Sequence, residues 1–158
     1  MHSRILGITT KQYYDEYLNE SGENMKLPDF EMMDQLPGWA DYVDTDTDLQ
    51  SDFEWFCNCI ENKYLHYNIE KHTIKFDKGF AEEYFKNRFQ KLKEIINADD
   101  GLKLFSNGTG HTIARLVQDK GGFIISDEDG SWDELDDFIR NIDYDVEYIV
   151  FDSVDYHW

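Results

Sequence analysis

The stretch from Lys78 to Asn97 constrains the fold more than any other. Phe80, Tyr84, Phe85, Phe89, Leu92, Ile95 and Ile96 recur at three and four residues, with Lys86, Arg88, Lys91 and Lys93 largely on the outer side. This period predicts an amphipathic helix over 78–97, stopped by Ala98, Asp99, Asp100 and Gly101. A helix with one apolar stripe needs a second layer to cover it. Candidate strands for that layer lie on both sides of it in the chain. YDVEYIVF (144–151) alternates and then becomes continuously apolar, as a strand covered on both faces does. HYNIEKHTIKF (66–76) predicts one bent strand or a hairpin. LKLFS, HTIARLVQD and GFIISDE, separated by NGTG and KGG, predict antiparallel strands joined by glycine turns.

The first part of the chain reads as helical. Thr9 or Thr10 caps a helix to about Glu20, with Tyr13, Tyr14, Tyr17 and Leu18 as its apolar stripe, and Ser21-Gly22 ends it. Pro28 suits the first turn of a short helix over 29–36, which Pro37-Gly38 stops. Trp39, Tyr42 and Val43 follow as one loose turn. A helix from Leu49 to Leu65 places Phe53, Phe56, Cys57, Ile60 and Tyr64 on one face and turns Asp52, Glu54 and Glu61 elsewhere. Later, Ser131-Trp132-Asp133-Glu134 has the form of a capping box. The helix behind it buries Leu135, Phe138, Ile139 and Ile142. The expectation is an α+β protein of one domain, residues 1–158. A mainly helical portion (1–65) packs with a mostly antiparallel sheet and two further helices (66–158).

With 158 residues and 41% hydrophobic content, the chain can bury a sizeable core. Its aromatic content of 16% separates it from disordered acidic tails. No apolar run approaches the roughly 20 residues needed to span a bilayer. The opening MHSRILGITTKQYY lacks the form of a secretory signal, so a cytoplasmic location is the expectation. Cys57 and Cys59, two apart in a helix, suit neither a disulfide nor a zinc site.

The net charge is −19, and it is segregated. Residues 27–62 hold ten acids and no Lys or Arg; residues 121–158 hold twelve acids and only Arg140. The intervening stretch, 63–120, carries eleven bases against eight acids. Such a surface repels nucleic acid and anionic membrane and attracts basic proteins.

A few stretches carry the residue types of a specific site. Asp44, Asp46, Asp48 and Asp52 have the spacing of the first oxygens of an EF-hand loop. The sixth position, however, is Leu49 where glycine is needed, and the twelfth is Trp55 where glutamate is needed. Asp48 instead suits a helix N-cap. DEDGSWDE (127–134) fails in the same way, so no metal is expected. The five histidines do not pair at ligand spacing, and the nucleophile-elbow, zincin and phosphate-loop signatures do not occur. FSNGTGHTI, around His111, reads as a hairpin turn because strands flank it. No cofactor and no enzymatic activity are expected. The basic residues on 78–97 read as a solvated helix face, so direct nucleic-acid binding is not expected.

What remains is rows of carboxylates. Asp133, Asp136, Asp137 and Arg140 share a helical face, and neighbours three and four apart lie about 5–6 Å apart at Cβ. Backbone phosphates on one DNA strand recur at roughly 3.4 Å of axis. The candidate partner-binding residues are therefore Asp44, Asp46, Asp48, Asp52, Glu54 and Trp55 in one row, and Asp127, Glu128, Asp129, Trp132, Asp133, Asp136 and Asp137 in the other. The composition resembles that of phage-encoded anti-restriction and anti-CRISPR proteins and of immunity proteins, a similarity of type with no aligned stretch. That similarity implies a non-catalytic inhibitor acting as a nucleic-acid mimic. Its partner would be a basic protein such as a CRISPR effector, a restriction enzyme or a toxin nuclease. An immunity protein for a cognate toxin is the alternative; a small enzyme or calcium-responsive module is the third reading.

Overall fold

The computed structural model describes residues 2–28, 42–44, 46–98, 107–118 and 122–157. The chain is α+β. Among the described residues a mixed sheet holds seven strands: β1 (His2–Thr10), β2 (Tyr42–Asp44), β3 (Leu65–Asn68), β4 (Thr73–Phe76), β5 (Phe123–Ser126), β6 (Trp132–Glu134) and β7 (Glu147–His157). Five helices accompany them: α1 (Lys11–Ser21), α2 (Leu49–Ile60), α3 (Phe80–Asn97), α4 (Asn107–Gln118) and α5 (Leu135–Arg140). The strand order is β3-β4-β7-β1-β5-β6, and β2 pairs with β7 beyond β4. All pairings are antiparallel except β1 with β5.

The sheet is built around β1 and β7, which run antiparallel from His2↔His157 to Thr10↔Tyr148. The register slips between Gly7 and Ile8, so Phe151 is the extra residue of a bulge and lands on the same side as Val154. Gly7 lies beneath that ring: a Cβ there would sit 2.5 Å from Phe151. Alternation along β1 divides the core in two. Leu6 and Ile8 face α2, α3 and α5, together with Phe53, Phe56, Phe76, Phe80, Phe123, Ile139 and Val150. Ile5 points the opposite way, toward Met25, Leu27, Phe151, Val154 and Tyr156, where Tyr14 of α1 also packs.

Several expectations hold. Thr10 caps α1, its hydroxyl accepting from Tyr13 N, and Gly22 closes the helix at φ 71. Asp48 caps α2. The stretch 66–76 is the β3–β4 hairpin. The 78–97 helix is α3, starting at Phe80.

Others are corrected. Residues 2–10 are a central strand, an element the expected helical N-terminal portion did not contain. Tyr42–Asp44 is a short strand on β7, not a loose turn. The helix from Leu49 ends at Ile60, and Leu65 already belongs to β3. HTIARLVQ is not a strand but most of α4, because Ile113, Leu116 and Val117 repeat at helical spacing. The capping box does not form: Trp132–Glu134 pairs with β5, and the helix starts at Leu135 without a side-chain cap. Edge pairing overrides the local signal there. The last strand is longer than 144–151 and runs to His157. The expected helix over 29–36, Trp39 and LKLFS lie outside the described residues.

Candidate functional site

The acidic rows are best understood through the two arginines that divide them. Register pairs Asp44 with Asp155, Asp155 with Arg4, and Arg4 with Phe123, so these four project from one face of the sheet. α2 crosses that face. Asp52 turns inward from it and is only 5% exposed. Its Oδ1 accepts from Arg4 Nε at 2.6 Å, while Arg4 Nη1 lies 2.5 Å from Asp155 Oδ1. The buried Oδ2 of Asp52 has no hydrogen-bond donor among the described residues. The Arg4 guanidinium also lies 5.7 Å from the centroid of Trp55. The helical period turns Asp52 away from the apolar face; in the fold it is half of a buried ion pair.

A second arginine withdraws Asp136 in the same manner. Arg88 of α3 makes a short ion pair with Asp136, which is buried in α5. The same guanidinium donates to the carbonyls of Leu116 at 2.8 Å and Arg115 at 3.4 Å, near the C-terminus of α4. Arg88 thus ties α3, α4 and α5 together. The sequence places Arg88 on a solvated face; its tertiary contacts overturn that for this one residue.

The remaining carboxylates stay outside. Asp46, Asp48 and Glu54 are exposed along β2 and the start of α2, and Asp44 is half-buried. Asp44 Oδ1 accepts from Asp46 N at 2.9 Å. Asp48 accepts from the Ser51 hydroxyl and from the amides of Ser51 and Gln50, which holds its pKa below the usual carboxylate value; the Ser51 hydroxyl contributes most. Three members of the supposed calcium loop are thus committed to a turn, a cap and an arginine. Among the described residues no group of three His, Cys, Asp or Glu is placed to hold a metal ion.

In the second row, Asp127 Oδ1 accepts from Asp129 N at 3.0 Å and from Ser131 N at 2.8 Å. Those bonds fix the turn that presents Glu128 and Asp129 to solvent. Asp133 and Glu134 are exposed on β6, and Asp137 is exposed on α5 with Arg140 Nη1 at 2.7 Å.

Asp44 and Asp133 share a side of the sheet. Phe123 and Ile125 point to the α2 face, and Asp133 is registered against Ile125, so Asp133 projects there too. From β2 to β6 is four strand spacings, about 19 Å. Trp55 stands between the rows, 38% exposed, with its ring 4.6 Å from Phe123. Trp132 is not beside it. It pairs with Ser126 and packs on the opposite face, near Ile5 and Tyr156.

The alternative chemistries find less footing. His111 is exposed on α4, and the glycines around it lie in the opening turns of that helix, not in a hairpin. His66 Nε2 meets Asp77 Oδ2 at 2.8 Å, as an exposed pair on the β3–β4 hairpin. Cys57 is buried, which pushes its thiol up to about 12 and leaves it protonated at neutral pH. Arg4, Arg88 and Asp155 were missed in the sequence. The signal for Arg4 was a single cation in the otherwise apolar and small run SRILGI. Among the described residues no helix is long and apolar enough to cross a membrane. In comparisons with known proteins the chain matches no family model, no curated sequence and no solved structure.

Proposed function

We propose that this protein is a non-catalytic inhibitor whose acidic α2-side face docks on a basic, nucleic-acid-handling enzyme and blocks entry of its substrate. One observation carries the reading. Asp46, Asp48 and Glu54 on one side, and Asp133 and Asp137 on the other, are exposed on α2, β6 and α5 or in the short link from β2 to α2, with Trp55 between them. Carboxylates held this way approach a cationic groove without first being ordered, and opposite fields accelerate the encounter. A half-exposed tryptophan supplies an apolar anchor of the kind that dominates interface energetics. Asp52 and Asp136 are not contact residues in this reading. Their work is internal, on Arg4 and Arg88.

The test is inhibition of a panel of purified restriction enzymes, CRISPR effectors and toxin nucleases, measured from 50 mM to 500 mM salt. Inhibition of one member is expected, weakening as salt rises. Asp129→Lys/Asp133→Lys/Asp137→Lys should abolish it while circular dichroism and melting temperature stay near wild type. Trp55→Ser should weaken it at all salt concentrations. A folded triple variant that inhibits as well as wild type would remove this face from the interface.

A further inference from the structure

Two helices on opposite sides of the sheet expose apolar stripes of opposite charge. On α3 the only buried residues are Phe80 and Tyr84, at its start. Beyond them Phe89 is 59% and Ile96 is 55% exposed. These two lie seven residues apart on one helical face, and Lys86 and Lys93 flank them at three and four residues. Lys93 Nζ sits 5.0 Å from the Phe89 centroid. On α1, Tyr13 is 42% and Tyr17 is 37% exposed, and the helix has no buried residue. Glu16 and Glu20 follow these tyrosines by three residues each and share their face. One stripe is apolar with lysines; the other is aromatic with glutamates. They match in chemistry: each sets two charged side chains of one sign beside two exposed apolar or aromatic ones.

They cannot meet within one molecule. α1 packs through Tyr14 on the Ile5 side of β1, and α3 packs through Phe80 and Tyr84 on the Leu6 side. We infer that the α3 stripe is covered by α1 of a second copy, in a head-to-tail contact. The charge distribution selects this occupant. A two-fold α3-to-α3 contact would set Lys86 and Lys93 against a like-charged stripe. A contact through the acidic rows would set carboxylate against carboxylate. The α1-to-α3 contact pairs opposite signs over apolar centres and leaves the acidic rows and Trp55 free. It uses a different patch on each copy, so every copy keeps one unused stripe and association continues to a ring or an open chain. This assembly uses none of the acidic contact residues assigned above and stands apart from the inhibitor reading.

A complementation experiment on the full chain tests it. Sedimentation velocity of wild type should show a mass that rises past the dimer with concentration. Phe89→Gln/Ile96→Gln and Tyr13→Gln/Tyr17→Gln should each be folded by circular dichroism. Each should associate at least about tenfold more weakly than wild type. Mixed one to one, they should form a dimer, because one supplies an intact α1 and the other an intact α3. Lys86→Glu/Lys93→Glu should act like the α3 variant and be rescued by Glu16→Lys/Glu20→Lys on the other copy. A wild type monomeric throughout would overturn the inference. So would association sensitive to the α3 changes alone, or failure of the mixture to dimerise.

Discussion

At the scale of single residues, two positions carry much of the argument. Gly7 is needed because Phe151, the bulge residue, occupies the space where a side chain would stand. Gly7→Ala should displace a buried ring and cost about 1–3 kcal/mol in chemical denaturation, without changing the exposed acidic rows. Cys57 makes a prediction in pH. Burial raises its thiol from 9.0 to about 12, so the unfolded chain ionises first. Its contribution to stability is complete below pH 9.0 and is lost as pH rises from there toward about 12. Burial also raises Tyr148 and Tyr156, which adds a loss of the same sign at higher pH. Denaturant midpoints from pH 8 to 11 should therefore fall less steeply for Cys57→Ala than for wild type. The caps at Thr10 and Asp48 were legible in the sequence because a cap depends on its own next three residues. Asp52 was not. It lies at the border of the apolar face of α2, and only Arg4, forty-eight residues away, makes inward burial favourable.

At the scale of elements, Arg88 is the joint between three helices. Arg88→Ala should leave Asp136 buried without its cation and release the C-terminal end of α4. Hydrogen exchange should rise across 107–118 before it rises in β1 or β7, and the melting temperature should fall. Equal protection of α4 in the variant would show that other contacts hold it. The same helix explains where reading the sequence failed. Its glycines resemble turns, and Thr112, Ile113 and Val117 are β-branched, so local preference favoured strand. Tertiary contact with α3 reverses that preference. β1 was missed because its run is short and interrupted by Gly7, and its partners lie over a hundred residues away. α3 and the β3–β4 hairpin were legible because their apolar periods and turns are local.

At the scale of the whole molecule, a net charge of −19 opposes compaction. Screening should relieve that opposition, so the melting temperature should rise between 20 mM and 500 mM sodium chloride. A flat or falling curve would mean that attractive pairs such as Arg4–Asp52 outweigh the self-repulsion. The amount of charge was plain from composition, but its layout was not: which carboxylates face out depends on two arginines and on sheet register. The β1–β7 pairing has one more effect, on time. Residues 2–10 are translated long before the strand they run along, which comes from residues 147–157. Until those are translated, a hydrophobic ribbon with open edges stays exposed. Assembly of this sheet is therefore a late event, and a chain stalled before Glu147 is a natural client for a holdase.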